Sequence, residues 1–224
     1  MSMASVRYVL FDAVGTIIRP RIPVADVYEF YGAQRGSGLR RHDIAPRLAE
    51  QLARRGPTAP IDEESEKERW RRIVDDIFTD MREAEPYLFR LLWSYYERAE
   101  SWQLCEDVAP AWQAIAATGR SIGIASNFDA RLRDVCSGTP PLDRCAHLFI
   151  SSEIGYAKPD PRFWTGVQDR LQAAPEELLL VGNDAECDYA GARAAGWHAL
   201  LIDRSAIPGR LGVIADLREI ITLL

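Results

Sequence analysis

Asp12 stands directly after a short apolar run, Val6 to Phe11, and before Ala13-Val14-Gly15-Thr16. The β-branched and aromatic content of that run suits a strand buried on both faces, and Gly15 lets the backbone fold closely around whatever lies past its end. Three more strand-like runs end in chemistry-bearing residues. Ser121 to Ala125 leads to Ser126 and Asn127, and His147 to Ile150 is followed by a turn-rich loop carrying Lys158. Leu178 to Val181 leads through Gly182 to Asn183, Asp184 and Asp188. Any one of these residues is equally well read as a cap or a turn. Together they supply a carboxylate nucleophile, a hydroxyl, an ammonium and an acidic cluster, the parts of nucleophilic catalysis assisted by positive charge. Three carboxylates in one crevice would raise one another's pKa unless a cation intervened, and oxygen ligands of this kind suit Mg²⁺.

Lysine usage sharpens the case for Lys158. The chain holds 27 Lys plus Arg, and only Lys67 and Lys158 are lysine. Lys67 lies in the charge-dense pattern Glu63-Glu64-Ser65-Glu66-Lys67-Glu68-Arg69, where a solvated helix face is a sufficient explanation. Lys158 sits in Gly155-Tyr156-Ala157-Lys158-Pro159-Asp160-Pro161, with Asp160 placed to cap a helix and Pro161 at its first position. A compact ammonium there suits a phosphate or carboxylate as a point charge.

These residues need elements that bring them to one edge. Between Pro20 and Trp102 no run reads as a strand, whereas Val24 to Gly32, Asp43 to Arg55, Asp62 to Met81 and Pro86 to Glu100 carry helical patterns. Gly36-Ser37-Gly38 and Gly56-Pro57-Thr58-Ala59-Pro60 read as loops between them. Trp70, Ile73, Val74, Ile77, Phe78 and Met81 form one apolar stripe, and with Tyr87, Leu88, Leu91, Leu92, Tyr95 and Tyr96 are expected to be the core of a small helical bundle. The rest of the chain alternates. Helices are predicted over Pro110 to Thr118, Asp129 to Cys136, Pro161 to Leu171 and Asp188 to Ala195, with a last strand over Ala199 to Ile202 and a terminal helix over Val213 to Leu224. Alternation of this kind implies an α/β fold with right-handed crossovers and a parallel sheet, whose strand ends share one ligand-binding edge. The predicted division is a core of residues 1–19 and 104–224 with an all-helical insertion, 20–103, covering the end of the first strand.

Composition excludes several classes. At 224 residues the chain can bury a sizeable core. Net charge is −6 and the pI about 5.2, so no basic face points to nucleic acid or an anionic membrane. No apolar run approaches the roughly 20 residues that span a bilayer, and the first residues lack a signal-peptide pattern, which places the protein in the cytoplasm. Cys105, Cys136, Cys145 and Cys187 show no Cys-x-x-Cys spacing and read as buried free thiols.

The motifs Phe11-Asp12-Ala13-Val14-Gly15-Thr16, Ile124 to Leu132, Lys158-Pro159-Asp160-Pro161-Arg162 and Val181 to Tyr189, in this order, resemble those of the haloacid dehalogenase superfamily in its branch with a helical cap. The resemblance covers nearly the whole chain and implies a Rossmann-like three-layer core beneath the cap. It implies that Asp12 is the nucleophile of a small-molecule hydrolase, forming an aspartyl-phosphate in a phosphatase, while Ser126 holds a phosphoryl oxygen and Lys158 offsets developing charge. Gly15, Thr16 and Asn127 are expected to line the substrate. Mg²⁺ would rest on Asp12, the backbone carbonyl of Val14 and acids of the last motif, Asp184 and Asp188, with Asn183 also aligned with the metal position.

Two departures from the family pattern bear on the reaction. Phosphatases of the superfamily carry a second Asp where this chain has Val14, and valine neither protonates a leaving alkoxide nor activates water, so ordinary phosphomonoester turnover is expected to be slow. Asn183 adds no charge at the aligned metal position, and a small shift of the loop would let Asp184 restore it. Three readings stay open: an Mg²⁺-dependent phosphatase, a metal-independent 2-haloacid dehalogenase using Arg19, Arg21, Arg40 and Arg41 near the cap entrance, and a non-catalytic binder of phosphorylated ligands.

Overall fold

In the computed structural model, which describes residues 3–54, 60–81, 86–207 and 210–224, the apolar runs become strands. In chain order these are β1 (Tyr8–Phe11), β2 (Ile18–Pro20), β3 (Trp102–Leu104), β4 (Ser121–Ser126), β5 (His147–Ile150), β6 (Leu178–Gly182), β7 (His198–Ile202) and β8 (Val213–Ile214). Six of them form one sheet in the order β5-β4-β1-β6-β7-β8, with every neighbouring pair parallel. Helices flank it to give an α/β, Rossmann-like fold, and none is long and apolar enough to cross a membrane among the described residues.

The pleat sends alternate residues to opposite faces. Val9, Phe11, Leu179 and Val181 pack with Val108, Trp112 and Ile115 of α5 (Val108–Ala117) and with Leu132 and Val135 of α6 (Arg131–Ser137). Leu10, Leu178 and Leu180 face the other way, against Phe163, Trp164 and Val167 of α8 (Pro161–Leu171). α8 starts where the sequence places it, with Asp160 accepting from the Arg162 N–H at 2.9 Å and Pro161 at its first position. Trp164 is 1% exposed, and its indole N–H donates to the Pro159 carbonyl at 3.3 Å, tying α8 to the Lys158 loop. Trp164→Ala is expected to cost about 3–5 kcal/mol, read from urea unfolding. An unchanged midpoint would contradict this packing.

The helices between β2 and β3 are α1 (Val24–Gln34), α2 (Arg41–Ala53), α3 (Glu63–Ile77) and α4 (Pro86–Glu97). They share an apolar cluster of their own that includes Tyr28, Ile44, Ile73, Val74, Ile77, Phe78, Leu88 and Leu92. α3 begins at a capping box in which the Asp62 carboxylate accepts from the Ser65 N–H at 2.8 Å. The expected helix to Met81 ends instead at Ile77, because the chain turns at Phe78. Arg55 and most of the expected loop 56–60 fall outside the described residues.

Other expectations are corrected. The stretch from Pro20 to Trp102 is bounded by a strand at each end, since β2 and β3 pair antiparallel as a short ribbon. The expected boundaries at 19/20 and 103/104 both fall inside it. The predicted terminal helix from Val213 is a sixth sheet strand, β8, followed by a 3₁₀ turn over Leu217–Thr222. The β-branched pair Val213-Ile214 extends the sheet edge, and Asp216 caps only the backbone that follows it. The predicted helix 188–195 begins earlier, as a wide π turn over Ala185–Ala190, and continues in α9 (Gly191–Ala194). The remaining short helix, α7, is Ser151–Ile154.

Candidate active site

Register delivers the polar residues to one place. Phe11 pairs with Ile124 and Val181, so Asp12 emerges between the ends of β4 and β6, its N–H donating to the Val181 carbonyl at 2.9 Å. Asp12 Oδ1 accepts from Ser126 Oγ at 3.0 Å and from Lys158 Nζ at 2.9 Å. Lys158 is 4% exposed and gives its other two protons to Asp188 Oδ1 at 2.6 Å and the Ala125 carbonyl at 2.8 Å. All three ammonium donors are therefore committed.

Burial disfavours the Lys158 ammonium, but Asp12 and Asp188 outweigh it and hold its pKa above the usual lysine range. Asp188 is buried as well, and loss of hydration pushes its carboxyl above the ordinary value against the pull of Lys158. With Lys158 protonated and both carboxylates ionised, the trio carries one net negative charge. A side chain at Gly182 would overlap the Asp188 carboxylate, so glycine is required where β6 ends.

The loop after β1 is braced rather than open. Gly15 has φ +87°, and a Cβ there would lie 2.7 Å from the Asn183 amide. Thr16, expected to line the substrate, is fully buried, with its hydroxyl 3.0 Å from Asn183 Oδ1 and 3.4 Å from Asp12 Oδ2. Asn127 works mainly as a clamp, accepting from the Lys158 N–H at 2.7 Å and donating to the Lys158 carbonyl at 2.9 Å, although it also reaches the cavity.

Asn183 and Asp184 have different partners. Asp184 Oδ1 accepts from the N–H groups of Glu186 and Cys187 at 2.8 and 2.7 Å, so its carboxylate caps the π turn. Its own N–H donates to Asp188 Oδ2 at 3.0 Å, which helps aim Asp188 inward. Asp184, expected as a metal acid, thus caps the turn through one of its oxygens, and Asn183 meets the Asp12 side through Thr16. Among the described residues no three His, Cys, Asp or Glu side chains are grouped to hold a metal. What converges around the Thr16 hydroxyl is one carboxylate oxygen, Asp12 Oδ2, and one amide oxygen, beside the loop that carries the Val14 carbonyl. These hard oxygens fit an Mg²⁺ that keeps waters and takes substrate oxygens, with only one charged ligand to hold it.

Beside this cluster lies a cavity of about 640 Å³, with Val14, Asn127, Lys158 and Cys187 in its lining. Val14 is 37% exposed. Burial pushes the Cys187 thiol up to about 11, which keeps it protonated and unsuited to be a nucleophile. Aromatic residues read from the sequence as bundle core, Trp70 and Tyr96 among them, also line this space. Arg19, Arg21, Arg40 and Arg41 are absent from its lining. Arg21 donates to the carbonyls of Glu100 and Trp102, Arg40 pairs with Glu29, and Arg41 pairs with Asp26.

Two supports escaped the sequence reading. Arg204 donates to the carbonyls of Gly15 and Thr16 at 3.2 and 2.8 Å while paired with buried Asp107, pinning the Asp12 loop. Arg131 grips Asp129 through two bonds of 2.7 Å and covers the Trp93 ring at 3.5 Å. Asp129-x-Arg131 was the only signal of the second, and nothing local marked the first.

This fold, with an aspartate and a lysine joined at the carboxyl edge of a parallel sheet, defines a hydrolase-like α/β protein. A family model described as haloacid dehalogenase-like hydrolase matches residues 6–196, and the chain belongs to that family. It is 25% identical over 207 residues to haloacid dehalogenase-like hydrolase domain-containing protein 3 of Mus musculus, covering 88% of this chain and 81% of that one. It is 35% identical over 120 residues to a phosphoserine phosphatase of Thermus thermophilus, covering 49% and 46%. Among solved structures, a defluorinating L-2-haloacid dehalogenase superposes with a TM-score of 0.74 at 20% identity, covering 99% and 98%.

Proposed function

We propose that the protein is a phosphatase acting through an aspartyl-phosphate on Asp12, with residues 20–103 as the cap over the site. The observation that carries this reading is the sharing of Lys158 between Asp12 and Asp188, which holds the Asp12 carboxylate in one orientation beside a lysine that lines a cavity. An Asp12 oxygen attacks phosphorus, the bond from phosphorus to the leaving oxygen breaks, and the leaving group departs with the electron pair. Lys158 opposes the charge that builds up, and Ser126 turns its hydroxyl from Asp12 to a phosphoryl oxygen. Water then attacks phosphorus, the bond to Asp12 breaks, and the carboxylate is restored. Val14 donates no proton to the leaving oxygen, so groups stable as anions leave fastest.

A phosphate dianion approaching a trio of net charge −1 requires added positive charge. Asp12, the Val14 carbonyl and Asn183 would hold Mg²⁺, which when bound neutralises phosphoryl oxygens. Hydrolysis of 4-nitrophenyl phosphate is expected to stop in EDTA and return with Mg²⁺; full activity in EDTA would contradict the metal assignment. Asn183→Asp adds the missing charged ligand and is expected to lower the Mg²⁺ dissociation constant several-fold by calorimetry. An unchanged constant would remove Asn183 from the metal set.

The 2-haloacid dehalogenase reading keeps one favourable observation, the absence of a second acid at Val14. It lacks the arginines expected to hold a substrate carboxylate, since none of the four lines the cavity. Chloride release from 2-chloropropionate in EDTA would decide for it.

A further inference from the structure

The cavity walls define a substrate body. Trp70, Phe89, Trp93, Tyr96, Trp102 and Phe128 line the same cavity as Val14 and Lys158. Its volume, about 640 Å³, lies within the range of small-molecule sites and is large enough for a fused-ring ligand. The charged groups in the lining are already paired. Arg69 bonds Glu66 at 3.2 Å, Arg131 bonds Asp129, Asp160 bonds Arg162 at 2.7 Å, and Lys158 serves Asp12 and Asp188. Each of these charges already has a partner of opposite sign, so what the wall chiefly offers a neutral arene is apolar surface.

We infer that the substrate is the phosphate monoester of a bulky, uncharged phenol, its ring system held in the aromatic cavity. This deepens, and rests on, the phosphatase reading. It also accounts for Val14. A phenol has a pKa near 10 and an alkyl alcohol one well above it, close to that of water, so a phenolate leaves phosphorus as Asp12 attacks without the proton an alkoxide requires. In the transfer step the bond from Asp12 to phosphorus forms, the aryl oxygen to phosphorus bond breaks, and the phenolate takes its proton from water after release.

Binding and turnover are tested separately. Calorimetric titration of the wild-type protein with 1-naphthol is expected to show binding, and Leu52→Trp, which adds bulk at the half-exposed rim of the cavity, is expected to weaken it about tenfold. In Mg²⁺, kcat/KM for 1-naphthyl phosphate is expected to exceed that for glycerol 3-phosphate by at least about a hundredfold. No naphthol binding, or binding that Leu52→Trp leaves untouched, overturns the aromatic assignment. Naphthol binding with equal or better turnover of glycerol 3-phosphate also overturns it, and leaves the phosphatase reading standing. Naphthol binding with no hydrolysis of either ester overturns both the ester assignment and the phosphatase reading.

Discussion

Val14→Asp is expected to raise the turnover of alkyl phosphates by about 10²–10⁴-fold, the usual contribution of general acid and base catalysis. The side chain at this position lines the cavity beside Asp12 and is partly exposed, so a carboxyl can be placed there without burying a new charge. It would protonate the departing alkoxide and then take a proton from the attacking water. Aryl phosphates, whose leaving groups need no proton, should gain far less. The informative quantity is therefore the ratio of kcat/KM for an alkyl and an aryl ester in the two proteins. A parallel change in both, or none in either, would show that proton transfer at Val14 does not limit the reaction.

Lys158→Met should remove activity and stability together. Methionine fills the space but leaves Asp12 and Asp188 as buried carboxylates with no shared cation, and breaking a buried pair in this way costs about 3–5 kcal/mol. Adding Asp12→Asn to Lys158→Met removes one of the two charges and should recover part of that loss, although the double variant stays inactive. The cycle is read from urea unfolding midpoints. If the double variant is less stable than Lys158→Met alone, the carboxylates are not what Lys158 neutralises.

Much of this arrangement was legible in the sequence for a physical reason. Runs such as Leu178 to Val181 are too apolar and too short to be anything but buried strands, and in a parallel sheet whatever follows each run reaches the same edge. Asp12, Ser126, Lys158 and Asp188 were therefore readable as a group before any distance was known. The roles of Asn183 and Asp184 were not, because they depend on which side chain caps the following turn, and Asp184 takes that task with two backbone bonds. Arg204 was hidden for another reason. Its partners Asp107 and Gly15 are remote in the chain, and only the closed sheet brings them together. β8 escaped because two residues are too few to show a period. The aromatic helices were read correctly as apolar, but periodicity does not tell a packed face from one lining a cavity.

Asp12 as the covalent nucleophile is the claim on which the rest depends, and it is tested most directly by acid-quenching the enzyme during turnover of 1-naphthyl phosphate with Mg²⁺ and mapping the peptide that contains Asp12 by mass spectrometry. The expected result is one added phosphoryl group on Asp12, removed by hydroxylamine and absent in Asp12→Asn. Steady turnover with that peptide unmodified at every quench time, or an Asp12→Asn variant with full activity, would contradict it.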